Sequence, residues 1–180
     1  MKTQIHKQLS LAVILASTTG ACAAQPTEQF YKWFDVSGTA IHYFDNTILH
    51  SENPTNTGVR KYVTETVELF GDVEGRVLYQ PVTNINLEEN TLVNRGNQVF
   101  SGTIMGIGPV MLHDDSFRFE IDLETGATVG KVFLSNRIAG PFMRCRLDIT
   151  GTGMTPEGNG LADYSGKCRM MPNENPENRF

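Results

Sequence analysis

Cys145 and Cys168, with the twenty-odd residues between them, constrain this chain more than any other stretch, because the two flanking segments read as the arms of one long β-hairpin. At the centre lies Thr155-Pro156-Glu157-Gly158, where Pro presets φ at the second position and Gly suits the exit of a type I turn. Pairing the arms about Pro156 and Glu157 sets Cys145 opposite Cys168. It also sets Leu147, Ile149, Gly151 and Gly153 opposite Gly166, Tyr164, Ala162 and Gly160. The other face carries Arg144, Arg146, Asp148 and Thr150 against Arg169, Lys167, Ser165 and Asp163. One register thus yields an apolar face, a polar face and an opposed cysteine pair, and a one-residue slip destroys all three. A type I turn splays a two-residue hairpin, so a bulge at Gly151, Gly153 or Gly160 is the expected relief.

Residues 1–24 read as a cleaved signal peptide. Lys2 and Lys7 precede an apolar run, Leu9 to Ala16, and small residues lead to Ala21-Cys22-Ala23-Ala24. The rival reading is a lipoprotein acylated at Cys22, against which Thr19 stands where Leu is usual. Either way the chain is exported, to a periplasm or beyond. Two cysteines remain, and an oxidising compartment favours their pairing over two buried thiols. Loss of Lys2 and Lys7 leaves about 13 basic residues against 20 acidic ones, a net charge near −7. That balance argues against nucleic acid and anionic lipid as partners. No apolar run in the remainder is long enough for a membrane span.

The mature chain is read as one domain over residues 25–171, with a frayed Asn/Pro/Glu-rich tail at 172–180. Residues 25–31 read as an irregular or short helical lead-in. Alternation then predicts a strand from Phe34 to Phe44, with Val36, Gly38, Ala40, His42 and Phe44 on one face, ending at Asp45-Asn46. Residues 51–58 have the composition of a loop. Strands are predicted from Arg60 to Phe70 and from Asp72 to Pro81, hinged at Gly71, followed by a polar stretch from Asn84 to Asn94 that turns at Glu88-Glu89-Asn90. Short strands follow at Gln98–Met105 and Pro109–His113, with a turn expected at Asp114-Asp115. Phe117, Phe119, Ile121 and Leu123 give the clearest period-two signal, and Glu124-Thr125-Gly126 turns the chain into Thr128–Ser135. Eight or nine strands joined by short turns, with no helical period, make an all-β chain. One-sided alternation in successive hairpins favours a single closed antiparallel up-and-down β-barrel of about eight strands, which also removes the edge-strand liability.

Three stretches add a resemblance. Gly71-Asp72-Val73-Glu74-Gly75, Phe100-Ser101-Gly102-Thr103-Ile104, and Thr150-Gly151-Thr152-Gly153 with Gly158-Asn159-Gly160 look like the allene oxide cyclase-like barrels. That group includes plant dirigent proteins and small bacterial barrels. The resemblance implies an eight-stranded barrel whose cavity binds, and sometimes cyclises, apolar small molecules. It carries over no catalytic residue.

Alternation also sorts polar side chains inward. Glu65 shares a face with Val63, Val67 and Leu69, so burial is expected to raise its pKa and let it hold a proton near neutral pH. His42 lies with Val36, Ala40 and Phe44, and Tyr79 and Tyr164 sit among apolar neighbours. The quartet Glu65, His42, Tyr79 and Tyr164 is the candidate acid/base set for a cyclisation or isomerisation without a cofactor or metal. Each has a plainer role open to it: Glu65 in an ion pair, His42 as a barrel-mouth histidine, the tyrosines as packed rings with a directed hydroxyl. His113-Asp114-Asp115 reads as turn chemistry, and the Arg144, Arg146, Lys167 and Arg169 cluster as a solvated outer face. The first functional expectation is therefore a small-molecule-binding barrel with isomerase chemistry. A lipocalin-like carrier and a solid structural or interaction barrel are the alternatives.

Overall fold

The computed structural model describes residues 32–172, leaving aside the side chains of residues 114–116, and the expected signal peptide at 1–24, the lead-in at 25–31 and most of the expected tail lie outside that range. Nine strands account for most of it: β1 (Phe34–Pro54), β2 (Gly58–Gly71), β3 (Val73–Asn86), β4 (Thr91–Ile104), β5 (Ile107–Asp122), β6 (Thr128–Leu134), β7 (Asn136–Ala139), β8 (Met143–Met154) and β9 (Gly160–Met170). Every pairing is antiparallel: β1 to β6 pair in sequence, β6 pairs with β8 and β8 with β9, and β9 returns to β1 to close the sheet. β1, β2, β3, β4, β5, β6, β8 and β9 form a closed eight-stranded up-and-down barrel, while β7 pairs outside that ring with β5. Among the described residues no helix is long and apolar enough to cross a membrane.

The hairpin register is the expected one from Cys145↔Cys168 to Gly151↔Ala162, including Arg144↔Arg169 and Thr150↔Asp163 on the outer face. A bulge then falls between Gly151 and Gly153, and the pairing shifts to Gly153↔Leu161 and Met154↔Gly160. The loop is consequently five residues rather than two. Gly158 N–H donates to the Thr155 carbonyl at 2.9 Å, closing the turn, and Gly158 takes a φ of 88° there. The cysteines form a disulfide across directly opposed positions, compatible with an extracellular or periplasmic setting.

Three boundaries differ from the sequence expectation. β1 does not end at Asp45-Asn46, and residues 51–54 belong to it rather than to a loop. Between Tyr43↔Thr66 and Ile48↔Thr64 it bulges, then pairs with β2 to Pro54↔Val59. β3 and β4 likewise run through the polar stretch, narrowing its turn to residues 87–90. These arms rise beyond the point where β9 stops pairing with β1, at His42↔Gly160. The β1 arm is wet on both faces, so its composition is that of a loop although its backbone is a ladder. The expected turn at Asp114-Asp115 is instead a one-residue bulge within β5, between Gly96↔Phe117 and Gln98↔Asp114.

Inward residues fill one end of the ring. Phe100, Ile104, Leu112, Leu134, Met143 and Val73 are wholly buried, together with Cys145, Cys168 and Tyr164. An eight-stranded ring is just wide enough for such side chains to close it. The polar inward residues gather towards the opposite end, where the turns at 87–90 and 155–159 lie.

Candidate functional site

Neighbouring strands carry the polar cluster. In the β2–β3 register Glu65 lies directly opposite Tyr79, and in the β3–β4 register Tyr79 lies opposite Gln98. His42 comes from β1, where it pairs with Val67 on one side and Gly160 on the other. Directly opposed residues share a face, so the alternation that buries Val77 and Leu69 turns Tyr79 and Glu65 inward as well. Glu65 is only 8 % exposed and Tyr79 4 %.

Tyr79 Oη and His42 Nε2 are 2.9 Å apart, and His42 Nε2 lies 3.5 Å from Glu65 Oε2. Thr47, delivered by the β1 bulge, donates from its hydroxyl to Glu65 Oε1 at 3.5 Å. Glu65 Oε2 is buried and receives no well-formed hydrogen bond. A missing acceptor bond on a buried carboxylate is costly unless something else supplies the donor.

Burial is the largest single influence on the Glu65 carboxyl and works to raise its pKa. The nearby His42, with the hydroxyls of Tyr79 and Thr47, outweighs it and holds the group below its ordinary value. This corrects the sequence expectation of a raised pKa, which counted desolvation and not the donors that two neighbouring strands bring. Tyr79 moves the other way: burial first, then the neighbouring Glu65 carboxylate, push the phenol well above its usual range. The pair is thus an ionised acceptor beside a hydroxyl that keeps its proton.

Aromatic rings run from this set to the rim. Phe44 is 43 % exposed, and its centroid is 4.2 Å from that of His42. Gly160 lies under Phe44 and leaves room for its ring. His42 is 5.6 Å from Tyr79, Tyr79 meets Phe117 edge-on at 5.4 Å, and Phe119 follows at 5.8 Å. The hairpin loop is tied to the same rim, since Phe44 N–H donates to Asn159 Oδ1 at 3.2 Å.

Three of the four expected site residues therefore meet: His42, Glu65 and Tyr79. Tyr164 does not join them. Its hydroxyl accepts from Val73 N–H at 2.8 Å and donates to the Val73 carbonyl at 2.9 Å, six residues along β3 from Tyr79 and roughly 20 Å away at strand rise. It fastens the Gly71 bend at the packed end of the barrel. Sequence reading missed Gln98, Thr83 and Asn94, all buried on the same inward face. Period two from Phe100 and Ile104 places Gln98 inward, whereas Thr83 and Asn94 were hidden in the stretch that reads as a polar turn.

The basic outer face of the hairpin is occupied by aromatic and acidic partners. Trp33 lies under the guanidinium groups of Arg169 and Arg146, at 4.6 and 5.5 Å, and Lys167 pairs with Asp35 at 2.7 Å. Among the described residues no group of three or more His, Cys, Asp or Glu is placed to hold a metal ion. Comparison with protein-family models, with curated proteins and with solved structures finds no match for this chain.

Proposed function

We propose that this protein is an exported barrel that binds a small, mostly apolar molecule at the polar end of its lumen, without a cofactor. The observation that carries the reading is the orphaned Oε2 of Glu65, buried beside His42 and Tyr79 at the foot of a run of aromatic rings. A buried acceptor bordered by rings is the usual make-up of a small-molecule site: much apolar wall and few directed polar groups. The filled opposite end favours a ligand seated near the mouth, with its body against Phe44 and Phe119.

A second reading, an isomerase or cyclase, is favoured by the opposite displacement of Glu65 and Tyr79, one held ionised and the other held protonated. The lowered Glu65 makes a weak base, which ranks binding ahead of catalysis. Allene oxide cyclase-like barrels and lipocalin-like carriers share the eight-stranded ring, so the ring does not choose between the two readings.

The test is native mass spectrometry of protein purified from its own host without denaturation. A co-purifying small molecule that is lost in Glu65→Gln supports the site. A ligand retained unchanged in Glu65→Gln and in Tyr79→Phe places binding elsewhere and overturns it.

A further inference from the structure

The polar group recognised at this site follows from which hydrogen-bonding capacity the lumen lacks. The buried polar and charged side chains among the described residues are Glu65, Thr83, Asn94 and Gln98, and none of them is cationic. The ion pair that reaches Glu65 comes from His42, at 3.5 Å and without hydrogen-bond geometry at Oε2. The rings beside it are Phe44, Tyr79 and Phe117, with the His42 imidazole, the ion-pair partner of the carboxylate, between Phe44 and Tyr79. The faces of the Phe and Tyr rings carry the negative lobe of the aromatic quadrupole, so they and the carboxylate attract the same sign of charge.

We propose that the ligand's polar head is a protonated amine, an organic ammonium ion that donates to Glu65 Oε2 while its carbon body lies against the aromatic run towards the rim. This rests on the binding site proposed above and names the chemical class that fits it. An ammonium group brings donors and no acceptor, which suits a buried carboxylate oxygen whose unfilled capacity is an acceptor. An alcohol supplies one donor but adds lone pairs that find no further donor from a lysine or arginine. A carboxylate head faces Glu65 as a like charge and is excluded. No bond is made or broken in this association.

The experiment uses the intact oxidised protein and three probes of nearly one shape: 2-phenylethylamine, 2-phenylethanol and 3-phenylpropionate. Binding is followed by calorimetry and by amide shifts of residues 42–47 and 65–79. The amine is expected to bind about 10-fold or more tightly than the alcohol, with the carboxylate weakest. In Glu65→Gln the amine should fall to within about threefold of the alcohol, while the alcohol is little changed. Equal affinity of amine and alcohol for the native protein, or preference for the carboxylate, overturns the ammonium assignment and leaves the binding site standing. Failure of all three probes to shift those amides overturns both. The native-protein comparison stands even if the variant does not fold.

Discussion

Tyr164→Phe separates a structural hydroxyl from a functional one. The Tyr164 ring is 2 % exposed, and Val73, whose amide it accepts from, is wholly buried. Phenylalanine keeps the ring and its packing. What is lost is a pair of hydrogen bonds to one residue, leaving the Val73 N–H without a partner where water does not reach and its carbonyl one donor short. An orphaned buried amide costs about 1–3 kcal/mol, and the deleted hydroxyl contributes in the same direction, so the expected loss is about 2 kcal/mol. For a domain of this size that corresponds to a fall in Tm of roughly 4–8 °C. Guanidinium unfolding at neutral pH, with the native m-value retained, is the appropriate assay. The aromatic amine probe should bind the variant as it binds the native protein, because the hydroxyl lies at the other end of the barrel. A stability loss under about 0.5 kcal/mol would refute the claim that this hydroxyl fastens the Gly71 bend. A selective loss of ligand binding would return Tyr164 to the site.

Further expectations follow from the same structure. Replacing Cys145 and Cys168 together by alanine should lower stability by about 3 kcal/mol, and dithiothreitol treatment of the native protein should reproduce the fall in Tm. Because the Glu65 carboxyl is held below its ordinary value, its contribution to stability is present at neutral pH. It is lost as pH falls through and below the usual carboxylate range near 4. The stability gap between the native protein and Glu65→Gln should therefore narrow from pH 7 to pH 3, and a constant or widening gap would contradict the ionised assignment. Gly38→Ala should destabilise by about 3 kcal/mol or prevent folding, since a Cβ there collides with the Phe70 carbonyl and the Tyr164 hydroxyl. Gly126→Ala meets no such atom, so its cost should come from its positive φ alone and stay near 1 kcal/mol.

The parts of the fold legible in the sequence are those where one strand face is wet and the other dry. Cys145, Leu147 and Ile149 alternate with Arg144, Arg146 and Asp148, and that contrast fixed both the register and the disulfide. The same rule placed Glu65, His42 and Tyr79 inward. It failed for β1 beyond Phe44, where both faces meet solvent, and at Asp114, where a bulge within a strand resembles a turn. It also gave Tyr164 the right face but the wrong neighbours, because alternation says which way a side chain points and not how far along the barrel it sits. The direction of the Glu65 shift was out of reach for a related reason. It depends on His42, Tyr79 and Thr47, and Thr47 reaches the carboxylate through a bulge that no periodicity announces.

The seam of the ring has a bearing on how the molecule is assembled. β1 meets β9 from Phe34↔Cys168 to His42↔Gly160, so the first and last strands of the ring hold it shut without a covalent link. The covalent staple lies one strand further in, between β8 and β9. The stapled pair is local and its chain entropy is largely spent before the circle exists, whereas the seam joins segments from opposite ends of the fold. Closing the circle is therefore the pairing that spans the most sequence and costs the most loop-closure entropy, and the staple, placed one strand away, leaves that cost to be met by the seam itself.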